Sequence, residues 1–379
     1  MDVLFKAVMV VGSAQSHSGH PRGQARLTAL EHVANRPILH HVLDDLSQAP
    51  VDGLIVAGEA DALLDVRACL RDYEPELDAI EYVVCRDGVD FASTLTAIAP
   101  AVGDSPCVIQ PADGLLDEGL PPLAELLGAG SPDLVLFVAP DDPEAGDGAE
   151  AGDGHGAREP YQGPDGYGGP GATEAAEPAA VAGAVAARNG HRGADVGVFA
   201  PGALGRASES LRRNGRGSLM ATGKRLAADG ATVRLHPVEG WRRYSGNGRE
   251  LLELNRVALD RVATDVPAAI SRTNRLEGRL LIHPTANVRA SAIIGPTVIG
   301  PLATVTEAYI GPYTSIGAGA RIEGAEIERS IVFPGASVMH VGGRLVSSIV
   351  GRDARVFRDF SLPRALRLWV GDGDEVSLC

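Results

Sequence analysis

IGPYTSIGAGARIEGAEIERSIV, residues 310–332, decides the fold. Ile310, Ile316 and Ile322 stand six apart. A strand with one buried face repeats every two residues and an amphipathic helix every three or four. A six-residue aliphatic repeat flanked by small residues is instead the pattern of a parallel β-helix, each repeat forming one flat side of a triangular coil. The period runs on in both directions: Ile282, Val288 and Ile294 keep it, as do Val332 with Val338 and Val350 with Val356. Gly or Pro often follows, as in Ile-Gly-Pro at 294–296 and 310–312. The pattern predicts a β-helix domain over 280–379. In its tail, Leu368, Trp369 and Val370 form an apolar run suited to packing on a coil or on a neighbouring subunit.

Upstream the period changes. From Lys6 to about Val138, apolar runs alternate with amphipathic segments, which argues for an α/β domain with a mainly parallel sheet, here bounded at 1–265. Strands are predicted at 8–11, 53–57, 80–84, 107–110 and 134–138, and a helix at 37–46, where Ile38, Val42 and Leu46 share a face. Residues 141–180 break the alternation. They combine Gly, Pro and Ala with ten carboxylates against the single Arg158 and have no hydrophobic period, so a disordered insertion is expected. Order is predicted to return with a strand at 196–200 and a helix at 219–228.

At 379 residues the chain has room for two domains, each with its own core. Its formal charge of −15 disfavours nucleic acid and anionic membrane surfaces, which are negative themselves. No apolar run approaches the ~18 residues a membrane span needs, and no basic segment precedes a long apolar core at residue 1, so a cytoplasmic location is expected. Cys69, Cys85, Cys107 and Cys379 lack CxxC spacing and read as small buried hydrophobes. Abundant Ala, Gly, Arg and Asp with little Lys suggests a GC-rich bacterial genome.

The first strand runs into a polar loop within KAVMVVGSAQSHSGHPRGQARLT, residues 6–28. That stretch, with ANRPILHHVLDDL, CVIQPADGLLDEGL, ELLELNRVALD, the repeat above and PRALRLWVGDGDEV, resembles the sugar-1-phosphate nucleotidyltransferases in the same order. The likeness is greatest to the long-form glucose-1-phosphate thymidylyltransferases. It implies a Rossmann-like nucleotidyltransferase domain followed by a left-handed parallel β-helix. It also implies a reaction in which a sugar-1-phosphate oxygen attacks the α-phosphorus of a nucleoside triphosphate and pyrophosphate leaves. Such catalysis rests on positioning and on charge neutralisation by Mg²⁺, Arg and Lys.

The parts that resemblance calls for are incomplete. The family's phosphate loop, roughly G-G-x-G-T-R, corresponds to Gly12-Ser13-Ala14-Gln15-Ser16-His17, which keeps only its first glycine. His17 stands near the Arg position, and His20, Arg22 and Arg26 follow out of frame. The first metal-binding Asp matches Asp113, beside Gln110 at the end of a strand. Counting through the W-x-D-T-G-like segment from Trp241 puts Tyr244 at the second, and a phenol is a poor ligand for a hard dication. In the base-binding segment Cys85 replaces a Gln and Asp90 a Gly. RGSLMATG at 216–223 lacks the three acids of the family's counterpart, and Gly197 alone carries across from the sugar side.

Two readings follow. The first is a nucleotidyltransferase-like protein without the standard reaction, a structural or regulatory partner or one repurposed for another small-molecule step, with no cofactor. In a repurposed cleft, His17, Asp113 and Tyr244 would supply acid and base groups, with Gly12, Ser13, His20, Arg22, Arg26, Gln110 and Gly197 around the ligand. The second is an active sugar-1-phosphate nucleotidyltransferase of altered donor that uses Mg²⁺ on Asp113 and Arg22 or Arg26 on phosphate. Either way a homo-oligomer and a sugar-phosphate or nucleotide-class ligand are expected. Bland alternatives stand beside these: a turn-forming Asp113-Gly114, a packing Trp241, solvated loop histidines, and adjacent His40 and His41 that face apart on their helix.

Overall fold

The structure, a computed structural model, describes residues 4–12, 27–71, 80–85, 91–128, 130–140, 191–211, 218–268, 270 and 274–358. The expected acidic insertion at 141–180 and the tail at 368–370 lie outside them. In the first unit, strands β1 (Phe5–Val10), β4 (Val51–Gly58), β5 (Ile80–Val84), β6 (Cys107–Pro111), β8 (Leu134–Pro140), β9 (His191–Phe199) and β10 (Val233–Pro237) form one sheet, ordered β10-β8-β9-β6-β1-β4-β5. Only β9 runs antiparallel to its neighbours β6 and β8. The remaining pairs are parallel, as the alternation of elements predicts.

Because successive strand residues face opposite ways, β1 feeds two cores. Ala7 and Met9 pack with α1 (Ile38–Ser47), α2 (Ala60–Leu70) and α7 (Gly248–Asp260). Val8 and Val10 pack with α3 (Phe91–Val102), α5 (Ala203–Leu211) and α6 (Leu219–Ala228) on the other face. Pro37 is the residue before α1 and closes a small hairpin, β2 (His32–Val33) and β3 (Arg36–Pro37), instead of opening the helix. The hairpin turn holds Ala34 at φ 46° and Asn35 at φ 63°, the two left-handed residues a type I′ turn requires.

From Arg275 to Phe357 the chain coils into three parallel five-stranded sheets, the architecture of the left-handed parallel β-helix. The even six-residue spacing fails at one corner of each coil. Val288–Ile293, Val305–Ile310 and Ile322–Ile327 are the buried pairs there, so the first coils take 17 residues, as in the stacking of Thr297 on Leu280 and Thr314 on Thr297; the later ones take 16 and 18, as Val332 stacks on Ile316 and Val350 on Val332. Ile293 is fully buried and Ile294 is not, which corrects the expected inward residue. The short corner turns through left-handed residues: Ala290, Glu307 and Gly324. Glycine after an aliphatic answers to the next coil: a Cβ on Gly317 would sit 2.5 Å from the backbone nitrogen of Pro334.

The two units share core. Val298, Ile331 and Phe333 of the β-helix belong to the cluster that holds α1 and α7. Asn255 of α7 fastens the seam: its Oδ1 accepts from Ala34 N at 2.8 Å and from Ser315 Oγ at 2.7 Å, and its Nδ2 donates to Tyr313 O. Asn35 Nδ2 donates to Ile316 O at 2.7 Å.

Candidate functional site

Asp113 lies where β6 ends and the chain turns into β7 (Gly114–Leu116), which pairs antiparallel with β11 (Trp241–Arg243). That pairing places Arg243 opposite Gly114. Gly114 has no left-handed backbone; a Cβ there would overlap the Trp241 ring, so this glycine exists for packing against an indole that is itself buried. The backbone of Tyr244 adds a further tie, N donating to Asp113 O at 2.9 Å.

Asp113 is buried, 4% exposed as a residue, and both its carboxylate oxygens have protein donors. Thr28 Oγ1, on the short 3-10 turn Thr28–Leu30, donates to Oδ2 at 2.7 Å. Arg243 Nε donates to Oδ1 at 2.9 Å, and its Nη1 reaches Asp195 Oδ2 at 3.2 Å. Burial opposes the charge on Arg243, but the carboxylates of Asp113 and Asp195 more than offset it and raise its pKa. It stays a cation.

Asp195 sits at φ 47° in β9, beside a register shift against β8 between Leu136 and Val138. A bulge of this kind re-aims a side chain. Neither Arg243 nor Asp195 is among the residues expected from sequence. The signal for Arg243 was present: W-x-D reaches two residues past Trp241, which is Arg243, whereas Tyr244 is three past. The residue facing Asp113 from this segment is thus a guanidinium. For Asp195 the only hint was its place two residues before Gly197.

The other expected residues divide. Gly12 borders Asp113: a Cβ there would lie 3.8 Å from Oδ2. Gln110 is fully buried; Nε2 donates to Gly114 O at 3.1 Å, and Oε1 has no hydrogen-bond partner among the described residues. Burial, then Glu31 and Glu250, push the Tyr244 phenol up to about 12, so it stays protonated through the neutral range. Gly197 faces packing, a Cβ there meeting Leu219 at 3.0 Å. Ser218 caps α6 by accepting from Ala221 N, and a Cβ on Gly223 would overlap Leu136, so the described part of that stretch, 218–223, has structural duties of its own. Cys85 is buried, its thiol pushed up by burial. Ser13, His17, His20, Arg22, Arg26 and Asp90 lie outside the described residues.

As placed, these residues do not fit Mg²⁺. A hard dication seeks several free oxygens, and here the carboxylate of Asp113 is taken by a hydroxyl and a guanidinium. Among the described residues no group of three or more His, Cys, Asp or Glu could hold a metal ion. His40 and His41 do face apart: His40 meets Cys69 Sγ at 3.5 Å, and buried His41 meets Val33 O at 3.0 Å. None of the described helices is long and apolar enough to cross a membrane.

Comparison with known proteins agrees with the architecture. Over 351 residues the chain is 27% identical to the low-salt glycan biosynthesis nucleotidyltransferase Agl11 of Haloferax volcanii, covering 91% of this chain and 92% of that protein. The chain is nucleotidyltransferase-like. This nucleotidyltransferase-like chain is also 35% identical over 177 residues to a glucose-1-phosphate thymidylyltransferase of Streptomyces griseus, and 32% identical over 187 residues to one of Streptomyces antibioticus. Those two matches span about half the length of each relative, 49% and 52%. No family model matches the chain.

Proposed function

We propose that this nucleotidyltransferase-like protein does not run the standard metal-dependent transfer, and serves as a structural or regulatory partner or in another small-molecule step. One observation carries the reading: Arg243 stands where the W-x-D spacing calls for a carboxylate, and it holds Asp113. A triphosphate entering beside Asp113 would meet two carboxylates already matched to one guanidinium, with no second cation supplied by these residues. The ligand class is sugar phosphate or nucleotide, the location cytoplasmic. The protein self-associates through its β-helix, whose last described coil exposes Val346, Ile349 and Phe357. Nucleic acid and membranes are not partners.

The second reading is an active sugar-1-phosphate nucleotidyltransferase with an altered donor. The end-to-end similarity to the Haloferax nucleotidyltransferase favours it. Pyrophosphate release, measured with each nucleoside triphosphate against a panel of sugar 1-phosphates with and without Mg²⁺, separates the two. No turnover is expected. Turnover that disappears in Asp113→Asn overturns the first reading and establishes the second.

A further inference from the structure

Two carboxylates that share one site need a cation between them, since an unpaired charge removed from water is costly. A protein can meet that need with a bound dication or with a side chain. Here Asp113, on the turn after β6, and Asp195, on the bulge of β9, come from distant parts of the sequence and meet the same guanidinium at 2.9 and 3.2 Å. Arg243 is held in place for this by the β7–β11 pairing and by Trp241 packed over Gly114. Thr28 takes the remaining Asp113 oxygen. Guanidinium suits the task because it is planar, always charged and able to donate along several directions at once.

We propose that Arg243 is a built-in counter-cation that holds Asp113 and Asp195 in place of a divalent ion, so that neither carboxylate is open to a metal. The cleft is therefore metal-independent in the native protein. Replacing Arg243 with a carboxylate would leave three acidic side chains facing one another, repelling when alone and matched to a hard dication when it is supplied. The inference rests on the reading of Arg243 given above, yet it fails separately: nucleotidyl transfer without any metal would end that reading and leave this one intact.

The test is thermal unfolding of the full chain in EDTA, Mg²⁺ or Mn²⁺. The wild type is expected to unfold at one temperature in all three. Arg243→Asp is expected to unfold lower in EDTA and to recover with Mn²⁺, the gain growing with the logarithm of metal concentration as linkage requires. The gain should vanish in Arg243→Asp with Asp113→Asn. If Arg243→Asp does not fold in any condition, Arg243→Gln, which removes the charge without adding repulsion, replaces it with the same expected direction. A wild type stabilised by Mn²⁺ in a manner lost in Asp113→Asn overturns the proposal, as does a folded Arg243 variant that ignores metal.

Discussion

The β-helix and the Asp113 cleft are built on opposite principles. In the β-helix the same kind of residue returns to the same place: Ile282, Ile299, Ile316, Val332 and Val350 stack on one face, each buried on the last. In the cleft every residue is single. Redundancy lets a stack keep its character when one position drifts, whereas one substitution at Arg243 reverses the sign of a charge beside Asp113. The two regions therefore differ in how much of their character a single substitution can alter: little in the stack, the sign of a charge in the cleft.

That contrast can be broken from either side. The largest effect is expected from Ile310→Ala, which empties a fully buried site in the middle of the stack. Deleting such a side chain costs about 2–5 kcal/mol, read as a lower midpoint in urea. A loss no larger than that of a surface change would mean that the stack relaxes around the missing side chain and tolerates the cavity.

Next comes the seam. Asn255→Ala strips partners from Ala34 N, Tyr313 O and Ser315 Oγ at once. An orphaned group costs about 1–3 kcal/mol, but water admitted to the space the side chain leaves can serve these groups, so the net loss expected is about 3 kcal/mol. Calorimetry is expected to show one transition for the wild type and two for the variant, the sheet domain unfolding before the β-helix; one transition in both would mean that the shared apolar core alone couples the units.

A similar magnitude is expected from acid. Burial above all, then Arg36, lowers the His41 pKa to about 4. In the unfolded chain it returns to ~6.5, so the unfolded state binds the extra proton first. Stability from this group is full above pH 6.5 and falls toward pH 4, by roughly 3 kcal/mol at ~1.4 kcal/mol per pH unit. Denaturation curves of the wild type and His41→Gln should converge in this window; parallel curves would place the acid sensitivity elsewhere.

The smallest change is Thr28→Val, which removes one donor from Asp113. A hydrogen bond to a charged group contributes about 1.5–3 kcal/mol, and the lower end is expected because Arg243 remains. Combining it with Arg243→Gln should cost more than the two separately, since Asp113 would then lose both partners. Simple additivity would mean that the three side chains do not act as one unit.

Sequence by itself determined the two-part architecture, because both signals are periodic. Apolar runs alternating with amphipathic helices specify a layered sheet, and a six-residue aliphatic repeat specifies a coil. Even there the spacing misplaced Ile294, since the tight corner takes one residue fewer than a flat side. The candidate site was legible only as far as local motifs reach: the sequence pointed to Asp113 with Gly12 and Gln110 and set it with His17 and Tyr244, whereas its partners Arg243 and Thr28 and the neighbouring Asp195 were not among the expected residues. Arg243 touches Asp113 across 130 residues of chain and Asp195 across 48. Contacts of that kind are set by strand pairing and by a bulge, where a shift of one residue turns a side chain to the other face. The tertiary structure therefore decided which residue faces Asp113, a guanidinium in place of a phenol, and with it the charge the cleft presents.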